Sequence, residues 1–312
     1  MISDLQELHP LSSAQALRQQ LARQIQRHAA RDGRNPTAIP ALTLNRISDP
    51  TPCVSVTYEP RLVVFVQGEK RIQIHQTMLC CNSSTYLLAA VDIPVLSQIT
   101  QASPDRPMLA MALQLDLAEI RRIVVRSELR FPATSPATSA IVAGITSASL
   151  LEPCLRLLGL LDHPEDIPFL GQSIQHEILY RLLRGDHGAQ LQAIATVGEQ
   201  RHRTARAIAW LRVHYTQPLR IEELAQRAEM GISTLHHHFR TLTGMSPLQY
   251  QKRLRLHMAR ERLLQTDQDV ATTAYAVGYE SLSQFTREYN RLFGRPPRRD
   301  IEALRERLMI AD

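Results

Sequence analysis

The carboxyl-terminal third of this chain carries the same local plan twice, and that repetition constrains the fold more than any other feature. "LRIEELAQRAEMGISTLHHHFRTLTGMSP" reads as a helix "IEELAQRA", a short turn around Met230 and Gly231, and a second helix with three consecutive histidines. "DVATTAYAVGYESLSQFTREYNRLFGRPP" repeats it: a short Ala-rich helix, a turn at Gly278, Ser281 as N-cap, and a second helix stopped by Gly294 and two prolines. Between the two units, "SPLQYQKRLRLHMARERLLQ" can run as one long helix. Two helix-turn-helix pairs joined by a linker helix specify an all-α domain.

Helical geometry, at about 100° per residue, sorts the side chains of each second helix. In the first, Leu235, Phe239 and Leu242 share a narrow arc with His238 beside them, Ser233, His237 and Arg240 lie roughly opposite, and His236 sits on the flank. Three consecutive histidines spread over about 200° of the helix circumference. Two helical histidines that grip one metal lie about a turn apart, so no metal site is expected here. In the second, Leu282, Phe285, Tyr289 and Phe293 form the apolar arc, leaving Ser283, Gln284, Arg287 and Arg291 outward. Outward Ser, Gln, His and Arg are the side chains that read base edges in a major groove.

Charge agrees with that reading. The net formal charge is −1 over residues 1–200 and +7 over 201–312, where 18 of the 19 basic residues are arginine. A concentration of guanidinium groups, whose planar fork fits phosphate and guanine, favours a polyanionic partner over an acidic small molecule.

Upstream, the texture differs. Leu17, Leu21 and Ile25 form one stripe within 12–31, which predicts a lone amphipathic helix. From about 41, β-branched alternation in "ALTLNRI", "CVSVTY", "RLVVFVQ", "KRIQIH", "TYLLAA", "VLSQI" and "PMLAMALQL", broken by turn residues, predicts an antiparallel barrel or sandwich. After Asp116 the pattern reads as helices as far as 214, with a break at Gly185 and Gly188. The expected division is a helical segment over 1–40, a sheet domain with helices over 41–188, a linker helix region over 189–203 and the DNA-binding domain over 204–312. No apolar run reaches the roughly 20 residues of a membrane span, and the start lacks a secretory pattern, so a cytoplasmic protein is expected. Cys53, Cys80, Cys81 and Cys154 show neither a CxxC pair nor a disulfide framework.

The doubled unit, from "AWLRVHY" to "RLFGRPP" over about 204–300, resembles the DNA-binding domain of the AraC/XylS family of bacterial transcription regulators. The resemblance implies seven helices whose two recognition helices enter successive major grooves. It places base contacts on Ser233, His236 and His237 in the first helix and on Leu282, Ser283, Gln284 and Arg287 in the second. Arg240 and Arg291 share those outward faces. The chain departs from the family pattern twice: Gly231 stands where a serine N-cap is common, and His237 where an arginine is common. Glycine caps only a few tenths of a kcal/mol worse than serine, whereas losing a bidentate fork alters base preference. Residues 41–188, with "YEPRLVVFVQGEKRI" and "LLGLLDHPEDIPFLGQSIQHEILYRLLRG", resemble the effector-binding amino-terminal module of one AraC branch. That resemblance implies a cupin-like β-barrel backed by helices, hence an α+β chain overall. It also implies a small-molecule effector, promoter DNA and RNA polymerase as partners, and a homodimer formed through the helices at 148–184, with no cofactor.

Three other functions compete. A metal-dependent cupin enzyme needs several histidines in the barrel, yet His75 is the one histidine across 41–115; "QHEILY" at 175–180 has Tyr180 where a zinc-protease helix has its second histidine. A thiol-based regulator would use the adjacent Cys80 and Cys81, with Lys70 and Arg71 as the nearest cations on a neighbouring strand. An architectural DNA binder would lack a specific site.

Overall fold

Alternating hydrophobicity in the amino-terminal half becomes two antiparallel sheets. The computed structural model describes residues 13–74, 77–127, 139–196 and 200–309, so His75 and the ends of the expected first helix and of "LAEIRRIVVRSEL" lie outside the described residues. Strands β1 (Gly33–Pro36), β2 (Leu42–Ile47), β3 (Val54–Tyr58), β4 (Arg61–Gln67) and β5 (Glu69–Ile74) are followed by β6 (Thr77–Asn82), β7 (Thr85–Ala89), β8 (Ile93–Gln101), β9 (Met108–Gln114) and β10 (Ile141–Ile145). The larger sheet runs β1-β2-β9-β4-β7-β10 and the smaller β3-β8-β5-β6. Helix α1 (Ser13–His28) lies over β2, β4 and β9 and buries Leu21 and Ile25 completely. With a helix on one face, β4 and β9 bury consecutive residues, which is why "RLVVFVQ" and "MLAMALQ" read as apolar runs.

Two strands depart from the expected pattern. β1 falls within 1–40, where a helix is expected. Its "GRNP" carries turn residues, but it is a sheet edge, where the missing N–H of Pro36 leaves no ladder bond unmade. β10 interrupts the stretch expected to be helical from 116 to 214. Its five residues "IVAGI" are too few to show a period, and the strand is defined by pairing with β7, more than fifty residues earlier in the chain, where Tyr86 packs over Gly144.

The helices that follow are α2 (Leu117–Ser127), α3 (Ala148–Gly159), α4 (Ile167–Arg184) and α5 (Gly188–Ala195). Within the expected linker region, α5 is a packed element: Leu191, Ile194 and Ala195 are fully buried against α2 and α4, and Arg121 donates to the Ala195 carbonyl at 3.0 Å. Seven helices complete the described chain: α6 (Gln200–Val213), α7 (Ile221–Arg227), α8 (Ile232–Thr243), α9 (Pro247–Gln265), α10 (Val270–Ala276), α11 (Leu282–Phe293) and α12 (Pro297–Met309).

The apolar interior does not respect the expected domain boundary. Leu224, Leu235, Phe239, Leu242, Tyr250 and Leu254 of the first helix pair and linker helix belong to the same continuous core as the sheets. Each such side chain contributes roughly 1.5 to 3 kcal/mol on burial. Polar bonds reinforce the junction. Ala140 N–H, just ahead of β10, donates to Leu242 O at the end of α8 (2.7 Å), and the Tyr250 hydroxyl donates to Asp92 O at 2.8 Å. Arg212 of α6 pairs with both Asp92 and Glu59. The second helix pair has separate cores around Phe285 and Tyr289 and around Leu263, Ile301 and Leu304.

Candidate nucleic-acid interface

The second helix of each pair is held by an apolar arc and ended by a glycine. In α8, Leu235, Phe239 and Leu242 are buried, and the chain leaves the helix through Gly244 in the left-handed conformation (φ 72°). In α11, Phe285 and Tyr289 are buried, and Gly294 ends the helix in the same way (φ 78°). Only glycine enters that region freely, and both helices stop where the sequence places it. Gly231 caps α8 with extended backbone and no side-chain bond, while Ser281 accepts from Gln284 N–H at 3.3 Å at the start of α11.

Fixing the core arcs turns the polar residues outward. Ser233, His236, His237 and Arg240 are all exposed on α8. His238 is half-buried at the core edge, where burial, with His237 and Arg201 nearby, lowers its pKa below the usual histidine value. Among the described residues, the three histidines join no group that could hold a metal ion. On α11, Ser283, Arg287 and Arg291 are exposed. Leu282, which angular geometry puts on the apolar arc, is 37% exposed beside them. Gln284 is half-buried and donates to Glu288 Oε1 at 3.1 Å.

The domain's arginines divide into those paired with carboxylates and those that, like Arg220, Arg262, Arg295 and Arg299, have no carboxylate partner among the described residues. Arg212, Arg227, Arg260, Arg298 and Arg305 all have carboxylate partners. Arg240, Arg287 and Arg291 have none among the described residues. Guanidinium groups without a carboxylate, set among Ser, His, Gln and Leu282, are available to phosphate and guanine.

The linker helix α9 sets the distance between the two faces. It begins with a reciprocal capping box, Ser246 Oγ accepting from Gln249 N–H and the Gln249 side chain accepting from Ser246 N–H. Gln251 and Arg255 donate to the carbonyls of Tyr215 and Gln217, tying α9 to the loop after α6. Farther along, buried Arg260 forms a two-point pair with Asp300 of α12 (2.8 and 2.9 Å), and the Tyr289 hydroxyl donates to the same carboxylate at 2.8 Å. The third branch of Arg260 donates to Cys53 O at 3.0 Å, reaching the sheet domain. Sequence reasoning missed Arg260, Asp300 and Arg212, because nothing local marks which of many arginines will be buried and paired.

A cavity of about 720 Å³ opens between the sheets and α9. Val63, Phe65, Ile99 and Met108 give it an apolar wall, and Met258 and Leu264 of α9 line it from the helical side. Arg34, Arg61, Lys70, Arg212 and the Asp300-paired Arg260 line it together with Glu59 and Glu261. Arg34 and Lys70 have no carboxylate partner among the described residues, and Lys70 sits 5.8 Å from the Tyr58 ring centre.

The paired cysteines split across their strand. In β6, Cys80 is exposed opposite Arg71, and Cys81 is buried opposite Lys70. Burial pushes the Cys81 thiol up to about 12, so it stays protonated near neutrality.

Two families match this chain: AraC-type transcriptional regulator N-terminus over residues 38–190 and helix-turn-helix domain over 224–302. Among curated relatives, the HTH-type transcriptional activator RhaS of Yersinia pestis (strain Pestoides F) is 33% identical over 145 residues, 46% of this chain and 50% of that protein. RhaS of Pectobacterium carotovorum is 33% identical over 101 residues, 32% of this chain and 36% of that one. The chain thus spans about half the length, or less, of these relatives. Among solved structures, ToxT from Vibrio cholerae aligns over 85% of this chain and 98% of its own, with a TM-score of 0.54 at 10% identity. At that identity the likeness is one of fold.

Proposed function

Given that the chain belongs to the AraC-type transcriptional regulators, we propose that it is a sequence-specific regulator rather than an enzyme, acting on promoter DNA in the cytoplasm under the control of a small molecule. One observation carries the DNA reading: two exposed polar helix faces, bearing Arg240 on one and Arg287 and Arg291 on the other with no carboxylate partner among the described residues, are presented by one basic domain and spaced by a single braced helix. Ser233, His236, His237 and Arg240 read one groove segment, and Leu282, Ser283, Gln284, Arg287 and Arg291 the next. Arginine contacts to phosphate supply affinity, and base-edge contacts supply choice.

The effector enters the cavity between the sheets and α9. Its apolar wall and surplus of cations suit a small organic anion with an apolar body. Because both domains line that cavity, an occupant that fits one arrangement better shifts the population toward it. RNA polymerase and a second copy of the chain complete the assembly. Support for the dimer comes from α4, where Phe169 is 79% and Leu170 47% exposed.

Selection of bound duplexes from a random pool by the full-length chain at physiological salt tests the proposal. A recovered motif of two segments one helical turn apart is expected. Recovery of no motif above bulk competitor refutes it.

A further inference from the structure

The side chain of Gln284 is fixed in a way its neighbours on the reading faces are not. Glu288, one turn along α11, is half-buried and accepts three hydrogen bonds: from Lys252 Nζ of α9 at 2.8 Å, from the Tyr279 hydroxyl at 2.8 Å, and from Gln284 Nε2 at 3.1 Å. Burial acts to raise the Glu288 pKa, but these three donors outweigh it and leave the pKa below the usual glutamate value. At neutral pH Glu288 is therefore a carboxylate.

That settles which end of the Gln284 amide points where. A carboxylate only accepts, so the group facing it must be the NH₂, and the carbonyl oxygen must point elsewhere. The Gln284 carbonyl oxygen has no partner among the described residues and is not sealed from solvent. Both Glu288 oxygens are taken, Oε1 by Lys252 and Gln284 and Oε2 by Tyr279. Glu288 is thus occupied with holding the amide.

From this network we infer that Glu288 is a positioning residue for base recognition, orienting Gln284 to present an acceptor, so that the contacted position takes adenine or cytosine. The inference rests on the proposal that α11 reads a major groove. In that groove adenine shows its N6 amino group and cytosine its N4 amino group, while guanine and thymine show only acceptors at the matching place. A free glutamine can turn its NH₂ outward and accept guanine or thymine. One whose NH₂ is held by a carboxylate cannot trade its oxygen for that group, so the acceptor stays outward, and the amide's second N–H is left for adenine N7 beside it. Lys252 extends the arrangement to α9, so base choice by the second helix depends on a residue of the linker helix.

Duplex selection with the full-length chain and its E288Q, Q284M and Q284M/E288Q variants tests this. Wild type should prefer A or C over G or T by about tenfold at one position of the second half-site. E288Q keeps the shape of Glu288 but supplies an amide that can donate or accept. The preference at that position should then fall below about twofold, with the positions read by Arg287 unchanged. The double variant should match Q284M at that position, because Glu288 acts only through Gln284. A wild-type-like E288Q motif overturns the inference, as does a wild type that takes G or T there. Should E288Q lose its thermal unfolding transition, Q284M alone decides: the inference fails if the A or C preference survives that substitution. If wild type selects no motif at all, the DNA-reading proposal falls and this inference with it; a motif lacking only this A or C preference overturns the inference alone.

Discussion

Arg260→Met removes the guanidinium that joins the linker helix, the last helix and the sheet domain. The side chains of Arg260 and Asp300 are 5% and 7% exposed, and the pair is held by two hydrogen bonds. Methionine retains an apolar stem beside Phe293, whose ring lies 4.4 Å from the guanidinium carbon, so packing loss is the smaller effect. The larger one is a buried carboxylate left with the Tyr289 hydroxyl as its remaining partner. Breaking a buried pair from one side costs about 3 to 5 kcal/mol. At about 2.1 cal/mol/K of unfolding entropy per residue, the 312-residue chain shifts by roughly 1.5 °C per kcal/mol, so the unfolding midpoint should fall by about 5 to 8 °C. Two probes distinguish where the loss occurs. Trp210, the single tryptophan, is on α6 and reports the first helix pair. Far-UV circular dichroism reports all the helices. Because the second pair has its own cores, helicity should fall before Trp210 fluorescence changes. R260M/D300N should recover part of the loss, since an amide carries no charge to strand. A penalty below about 1 kcal/mol would mean the pair is solvated in solution and would refute the reasoning.

Further predictions follow from other residues. Arg287→Ala should cost about 1 to 3 kcal/mol on a selected site and relax one base position, measured by competition binding; a uniform loss across sequences would show that Arg287 touches only phosphate. His257 is 2% exposed, with neither ring nitrogen bonded among the described residues, and burial together with Arg253 and Arg260 holds its pKa well below the usual histidine value. The folded state therefore favours the neutral ring, so its contribution to stability is complete above about pH 6.5 and is lost as pH falls toward the folded pKa. His257→Phe should flatten that acid-side decline in urea midpoints, and an unchanged decline would exonerate His257. Iodoacetamide should label Cys80 in the folded chain and leave Cys81 unmodified until denaturant is added, as read by peptide mass spectrometry.

The second helix of each pair was legible because its determinants are local. Leu235, Phe239, Phe285 and Tyr289 recur at helical spacing, and Gly294 with the prolines after it marks the end of α11. The Gln284–Glu288 contact was also within reach, since residues four apart on a helix meet, but its partner Lys252 lies on another element. What escaped was non-local. β10 exists by pairing with β7, the Arg212 contacts join residues more than a hundred positions apart, and the junction at Tyr250 depends on how two apolar surfaces meet. Composition and periodicity specify which face of a helix is buried, not which neighbour buries it.

The continuous interior shared by the sheets and the first helix pair bears on how such chains can be recombined. A chimera cut after Ala195, grafting the carboxyl-terminal helices onto a foreign amino-terminal domain, would strip Leu242 of the amide at Ala140 and Tyr250 of the carbonyl at Asp92. Arg212 would be left without either carboxylate. Module exchange in this protein therefore calls for transplanting the β7–β8 turn and the approach to β10 along with the helices, and the second helix pair is the piece most readily traded alone.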